Sequence, residues 1–262
     1  MTAPLRFLTL AAILASVPAF AADNNSFAIL SKGKQVGKAS YTVDKVKEGW
    51  RVRSRFEVHL TAGDQNGPSN DSALDESGGK RGGGSSGMIE AQVTAEYKTT
   101  PEGDFLGGYL SDQTQTITSF TPDKSRTTVA VNLTQAGASS LPTMLPVPKP
   151  DFLLAPTFDP AGLQVLLTTA AAHPHEDKTY LLIVPGASNR QPPTLQYVAL
   201  DPSHSEPAQG TLDGKPLTLK HYTLRFRSGD ADLYTDDAGT LMQAELAKPA
   251  VTFTRAKFVL TK

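Results

Sequence analysis

Apolar and polar residues alternate along most of this chain. Between 50 and 60 the pattern is cleanest: Trp50, Val52, Ser54, Phe56, Val58 and Leu60 share one phase, and Arg51, Arg53, Arg55, Glu57 and His59 share the other. A period of two belongs to a strand with one buried face, and no helix fits it. Ile89, Ala91, Val93, Ala95 and Tyr97 repeat the pattern, which predicts antiparallel pairing of 50–60 with 88–97. Near the end of the chain, runs at 217–227, 231–235, 241–247 and 251–260 form a meander in which Tyr222, Leu224 and Phe226 oppose His221, Thr223, Arg225 and Arg227. In its last run Val251 and Phe253 lie on one phase and Phe258 and Leu260 on the other, so a bulge is expected near Thr254 and Arg255.

Turn chemistry places the remaining strands. Lys32-Gly33-Lys34 separates 27–31 from 35–43, and Asp213-Gly214 is a hairpin signal leading into the meander. Thr121-Pro122-Asp123-Lys124, with Pro in second place, is expected to join strands at 113–120 and 125–133. Further strands are expected at 105–111, 180–184 and 195–200, the run at 180–184 being continuous enough to be buried on both sides. One helix stands out, with Asp159 as its N-cap, Pro160 in its first turn, and Leu163, Leu166, Leu167 and Ala170 as its apolar stripe. Strand after strand with one helix predicts a mainly β fold: a large curved antiparallel sheet, an open half-barrel, wrapped around one central helix.

Two segments break the pattern. Residues 61–87 hold eight glycines among Ser, Asn and Asp, and read as a flexible insertion. Residues 137–156 read as an extended connector rich in Pro, with Pro142, Pro146, Pro148, Pro150 and Pro156. The first 21 residues have a single positive charge at Arg6, an apolar run and an Ala-x-Ala ending at Ala21, the pattern of a cleaved signal peptide. That leaves 22–262 as a single β-rich domain, exported to the periplasm or beyond and not integral to the membrane.

The 262 residues contain no cysteine, which removes disulfides, thiol chemistry and the acylated cysteine of a lipoprotein. Without Arg6 the charge is 24 basic against 26 acidic residues, or −2, and no long basic run argues for nucleic acid.

The opening hairpin, from Leu30 through Gly37 and Tyr41 to Val43, resembles the start of a group of uncharacterised bacterial periplasmic domains. The closing segment, Ala231-Asp-Leu-Tyr-Thr-Asp-Asp-Ala-Gly-Thr-Leu241, is similar to their strand, acidic-Gly turn, strand ending. The resemblance covers about a quarter of the chain. It implies the half-barrel of the lipoprotein-localisation factors, which can shelter acyl chains, and hence a lipid-like ligand or lipoprotein partner in the cell envelope. It carries over no catalytic residue and no cofactor.

Three classes of function remain open. A groove for an apolar ligand would be lined by Leu163, Leu166 and Leu167 of the helix with Trp50, Phe56, Tyr222 and Phe226, and Arg51, Arg53 and Arg55 could meet an anionic group. The other reading of these arginines is the wet face of a sheet, paired with Glu90 and Glu96 on the neighbouring strand. A second class is an envelope assembly protein with a filled core. The third is an exported hydrolase or metal enzyme. For it, His173, His175 and Glu176 are the metal-type ligands, although Pro174 interrupts them and a helix C-terminus in water explains them as well. Ser188 lacks the second glycine of a hydrolase elbow, and Asp201, His204 and Glu206 form a triad only on paper.

Overall fold

A computed structural model describes residues 25–60, 89–135, 137–147, 153–155, 159–172, 178–184, 194–226, 229–247 and 250–261. The signal-like segment, the insertion, and the Lys248-Pro249 and Pro185–Arg190 turns of the sequence lie outside these residues.

The strands are β1 (Asn25–Ser31), β2 (Lys34–Val46), β3 (Gly49–Leu60), β4 (Ile89–Thr99), β5 (Phe105–Asp112), β6 (Ile117–Pro122), β7 (Thr128–Gln135), β8 (Ala138–Ser139), β9 (Thr143–Pro146) and β10 (Leu153–Ala155). Helix α1 (Pro160–Ala172) follows. Then come β11 (Lys178–Val184), β12 (Thr194–Leu200), β13 (Glu206–Leu212), β14 (Lys215–Phe226), β15 (Gly229–Thr235), β16 (Leu241–Leu246), β17 (Val251–Arg255) and β18 (Phe258–Thr261).

Hydrogen-bonded neighbours run β9, β7, β6, β5, β4, β3, β2, β1, β17, β16, β15, β14, all antiparallel. The sheet is thus a meander whose start and end are stitched together by the β1–β17 pair. The predicted partnership across the insertion holds over the full strand, from Trp50 opposite Thr99 to Leu60 opposite Ile89. Beyond β14 the sheet divides. Leu224 to Phe226 continue into β12, β11 and β10, whereas Lys215 to His221 pair with β13, which carries β18.

Among the described strands one pair departs from the antiparallel rule: β10 and β11 are parallel. Parallel neighbours need a crossover of a dozen or more residues, and α1 is that crossover. The helix therefore lies on the inner face of the sheet, where it touches β10, β2, β16 and β3, and the sheet coils until β10 comes alongside β5. The alternation seen in the sequence cannot reveal this, because it fixes which face is apolar and not how far the sheet curls.

α1 is buried nearly all round rather than along a stripe, with Ala161, Leu163 and Leu166 at 0% exposure. Around it pack Tyr41 and Val43 of β2, Val52 of β3, Tyr97 of β4, Phe120 of β6 and Leu224, Leu233 and Leu241 of β14 to β16. Each such leucine contributes about 1.5–3 kcal/mol by leaving water.

The last strand corrects the expected bulge. Ala256 and Lys257 form a turn with Lys257 at φ 62°, so β17 ends at Arg255 and β18 begins at Phe258 as a separate strand. The change of phase is real, and its cause is a change of partner: β17 pairs with β1 and β16, and β18 pairs with β13. As a result Phe258 and Leu260 join Leu219, Met242 and Tyr234 in a second apolar cluster. The outer face of the meander is dry there, not wet. Gly210 makes this fit, because a Cβ on it would sit 2.7 Å from the Phe258 ring.

The turn after β6 is also shifted from expectation. Pro122 still belongs to the strand, and the turn starts at Asp123, whose carbonyl accepts the Arg126 N–H at 3.1 Å. Four hairpins share this frame, led by Thr100, Asp112, Asp123 and Asp236. In each, the leading carbonyl accepts the N–H three residues on, and that donor residue has positive φ: Gly103 98°, Gln115 60°, Arg126 57° and Gly239 80°. In each, the leading side-chain oxygen accepts the N–H four residues on, at 2.8–3.1 Å. Asp and Thr suit the first place because they cap the turn locally. These bonds, led by the Ser125 hydroxyl and the Thr128 N–H, hold the Asp123 carboxyl at about 2 instead of 3.8. Its stabilising charge is therefore complete above pH ~4 and is lost only as pH falls toward about 2, which a carboxyl NMR titration reads directly.

Gln115 carries the strain that Gly103 and Gly239 avoid. Replacing it (Gln115→Gly) is expected to raise stability by about 0.5–1 kcal/mol, the left-handed penalty less the entropy glycine loses on folding, measured by urea unfolding.

Residues 137–156, read as an extended connector, hold the short strands β8, β9 and β10. β8 and β9 extend the sheet beyond β7.

Candidate functional site

A helix that fills a barrel brings polar backbone ends with it, and these need partners. At the N-terminus of α1 the Asp159 carboxylate accepts the Gly162 N–H at 2.9 Å, the Ser54 hydroxyl at 2.8 Å and the Tyr97 hydroxyl at 3.2 Å. One side chain thus caps the helix and ties it to β3 and β4. A turn later, Gln164 Oε1 accepts the Tyr41 hydroxyl at 3.0 Å and the Leu241 N–H at 2.8 Å, while Nε2 donates to the Gly239 carbonyl at 3.0 Å. Thr169 Oγ1 lies 2.5 Å from the Gly103 carbonyl and 2.9 Å from that of Val165. Burial pushes the Tyr41 hydroxyl well above its ordinary pKa, so it stays protonated and donating.

The first turns of α1 are filled by Leu163 and Leu166; the last turn has Ala170, Ala171 and Ala172 instead. Beside this small-residue end lies a cavity of about 500 Å³. Its apolar wall includes Val43, Leu167, Ala170, Leu200, Tyr222 and Met242, and Asn25, Tyr41, Gln164, Thr168 and Thr235 are polar groups of the lining. Its rim includes the Asp236-to-Thr240 turn, Lys220 and Arg255.

Of the groove residues named from the sequence, Leu167 and Tyr222 line this cavity. Leu163 and Leu166 lie in the packed interior, and Trp50, Phe56 and Phe226 pack at the margins of the same core. Arg51, Arg53 and Arg55 lie on the opposite face of β3. Their carboxylate partners are Asp44, 2.6 Å from Arg53 and 4.0 Å from Arg51, and Glu57, 2.9 Å from Arg55. The expectation of pairing with Glu96 is corrected: Glu96 stands opposite Arg53 in register, but Asp44 on β2 takes that guanidinium. Glu90 lies on β4 and its side chain is outside the description.

The triad on paper does not assemble. The Ser203 hydroxyl and Asp201 both approach Nδ1 of His204, at 3.1 and 2.5 Å, on an exposed turn. Glu206 instead lies 3.5 Å from His221, whose ring stacks on Tyr234. Bonds from Ser203 first, and from His204, hold the Asp201 carboxyl at about 2. His173, His175 and Glu176 lie outside the described residues, and among those residues no group of three His, Asp or Glu side chains is placed to hold a metal.

Lys220 and Arg255 escaped the sequence reading, although their signal was present. Lys220 shares its phase with Tyr222, Leu224 and Phe226, and Arg255 shares its phase with Val251 and Phe253. A cation on the apolar phase of a strand is the informative exception to burial rules.

Fold and cavity together define a barrel-like β-domain wrapped around one helix among the described residues, with a cavity beside the C-terminal end of that helix. The chain is similar to a β-barrel-like protein of a domain of unknown function, DUF1849, from Brucella abortus. The TM-score is 0.51 at 9% identity, over 91% of this chain and 97% of that one. A DUF1089 family protein from Pseudomonas aeruginosa aligns at TM-score 0.40 and 10% identity, over 78% of this chain and 87% of its own. The first likeness shows a shared fold. No family model matches the chain, and no curated protein does. No helix among the described residues is long and apolar enough to cross a membrane.

Proposed function

We propose that this protein is an exported, non-enzymatic β-domain of the cell envelope that holds an apolar or lipid-like small molecule beside α1. The observation that carries the reading is the switch from leucine to alanine along one helix, beside whose alanine end lies a cavity of about 500 Å³. That volume falls within the roughly 300–1,000 Å³ of small-molecule sites, and its lining sets an apolar strip, Val43, Leu167, Ala170, Leu200 and Met242, beside polar groups. Export rests on the signal-like first 21 residues. The kinship with lipoprotein-localisation factors is part of the same proposal.

The test is to fill the space. Ala170 is 2% exposed and lines the cavity, so Ala170→Trp sends an indole into it. Delipidated protein should bind the neutral dye N-phenyl-1-naphthylamine, and the variant should bind it at least about tenfold more weakly, a loss of about 1.4 kcal/mol. The unfolding midpoint should not fall, because the ring enters empty space and displaces no packed atoms. Unchanged dye binding in a folded variant rejects the reading.

The filled half of the barrel favours a second reading, a solid envelope assembly protein. Leu141 and Met144, 91% and 53% exposed at β9, which pairs with β7 alone among the described strands, are the surface it would use.

A further inference from the structure

Arg255 and Lys220 are out of place. On β17 the positions alternating with solvent are Val251, Phe253 and Arg255, and the first two pack on the main core. On β14 the same phase carries Lys220, Tyr222, Leu224 and Phe226, of which Leu224 is fully buried. Both cations therefore stand on the inner face of the barrel, and both line the cavity.

Among the described residues neither cation has an ionic partner. Arg51, Arg53, Arg55 and Arg126 each have a carboxylate within 4.0 Å. Among the described residues no carboxylate lies that close to Arg255 or Lys220. Asp236 is the one acidic side chain in the lining, and its Oδ1 is engaged by the Thr240 N–H at 2.8 Å, inside its own turn. The lining thus carries two cations against one anion. A half-buried guanidinium gives up hydration without an ionic partner, which is costly unless something else supplies the anion.

We infer that the molecule held in this cavity is a long-chain amphiphile with an anionic head group, carboxylate or phosphate, bound by Arg255 and Lys220 at the rim while its chain lies along Leu167, Ala170 and Tyr222. The inference rests on the proposed function and adds the chemistry of the ligand. Guanidinium suits either head group, because its planar fork offers two parallel donors to two oxygens. Lys220, exposed and on a flexible stem, adds a point charge. The Tyr41 hydroxyl is committed to Gln164 and does not compete for the head group.

The experiment displaces N-phenyl-1-naphthylamine from delipidated full-length protein with dodecanoate, dodecyl phosphate, dodecanol, dodecyltrimethylammonium and inorganic phosphate. Dodecanoate and dodecyl phosphate should bind at least about tenfold more tightly than dodecanol, as expected for a charge-assisted hydrogen-bonded pair. The cationic detergent should be weakest. Arg255→Gln should remove most of that preference and leave dodecanol unchanged, with Lys220→Gln giving a smaller loss. Arg53→Gln, on the outer face, should change nothing. Should Arg255→Gln fail to fold, Arg255→Lys keeps the test open by retaining charge while losing the fork, and should give an intermediate preference. Equal binding of dodecanoate and dodecanol overturns the head-group inference alone. So does displacement by inorganic phosphate at the concentration where dodecyl phosphate acts. If the dye never binds, the cavity reading falls with it.

Discussion

Replacing Asp159 by alanine is expected to lower the unfolding free energy by about 3–4 kcal/mol, a large share of the ~5–15 kcal/mol of a typical domain. The sum has identifiable parts. Loss of an N-cap costs about 1 kcal/mol. Ser54 and Tyr97 would each lose their carboxylate acceptor, at about 1–1.5 kcal/mol for each buried hydrogen bond. Asp159, Ser54 and the Tyr97 ring are all buried, so water cannot readily take the carboxylate's place. Asp159→Asn separates the parts. Its carbonyl oxygen can still cap Gly162, but its amide brings donors where the hydroxyls already donate, so most of the loss should persist. Urea unfolding of both variants, beside Ser54→Ala and Tyr97→Phe, checks this. A drop below ~1 kcal/mol for Asp159→Ala would show that the three contacts do not act together.

The second large effect is expected at Gln164. Gln164→Leu preserves approximate volume but leaves the Tyr41 hydroxyl, the Leu241 N–H and the Gly239 carbonyl without their partner. The expected loss is about 3 kcal/mol, because an unpaired buried polar group costs more than a hydrogen bond gains. Its consequence is also local. Gly239 and Leu241 flank the rim turn of the cavity, so hydrogen exchange of the Thr240 and Leu241 amides should accelerate more than exchange of the β3 and β4 amides. Uniform acceleration would mean that Gln164 supports the fold as a whole and does not fix the rim. Tyr41→Phe removes only one of the three contacts and should cost about 1 kcal/mol.

These two side chains show where sequence reading stops. Asp159 was legible as an N-cap from its place before Pro160, but its grip on Ser54 and Tyr97 spans 105 and 62 residues of chain. Gln164 interrupts the leucine stripe and looks like a solvent-facing residue on a surface helix. It is buried because the helix lies inside the sheet, a fact that no local pattern encodes. Likewise Arg51, Arg53 and Arg55 share one face, but Asp44, the partner of Arg51 and Arg53, is set by the β2–β3 register and not by the β4 neighbour the alternation suggests.

The cavity was legible only in part. Leu167 and Tyr222 were among the residues named for a groove, and they line it. Lys220 and Arg255 were readable in principle as cations on an apolar phase. In the sequence the phase change just after Arg255 reads as a bulge, which hides its place on the apolar phase. The structure assigns that change to a new strand with a new partner.

Local physics alone was enough to establish a β-rich chain, the pairing across the long insertion, the Lys32-Gly33 and Asp213-Gly214 hairpins and a single capped helix. Period-two alternation, turn residues and capping are short-range properties, and each is written into neighbouring positions. The coil of the sheet, the parallel β10–β11 pair, the dry second layer under β18 and the space beside Ala170 depend on contacts between residues far apart in the chain. Those contacts are chosen by how faces fit once the sheet has curled, and that fit is what turns two ordinary cations on strands into the rim of a cavity.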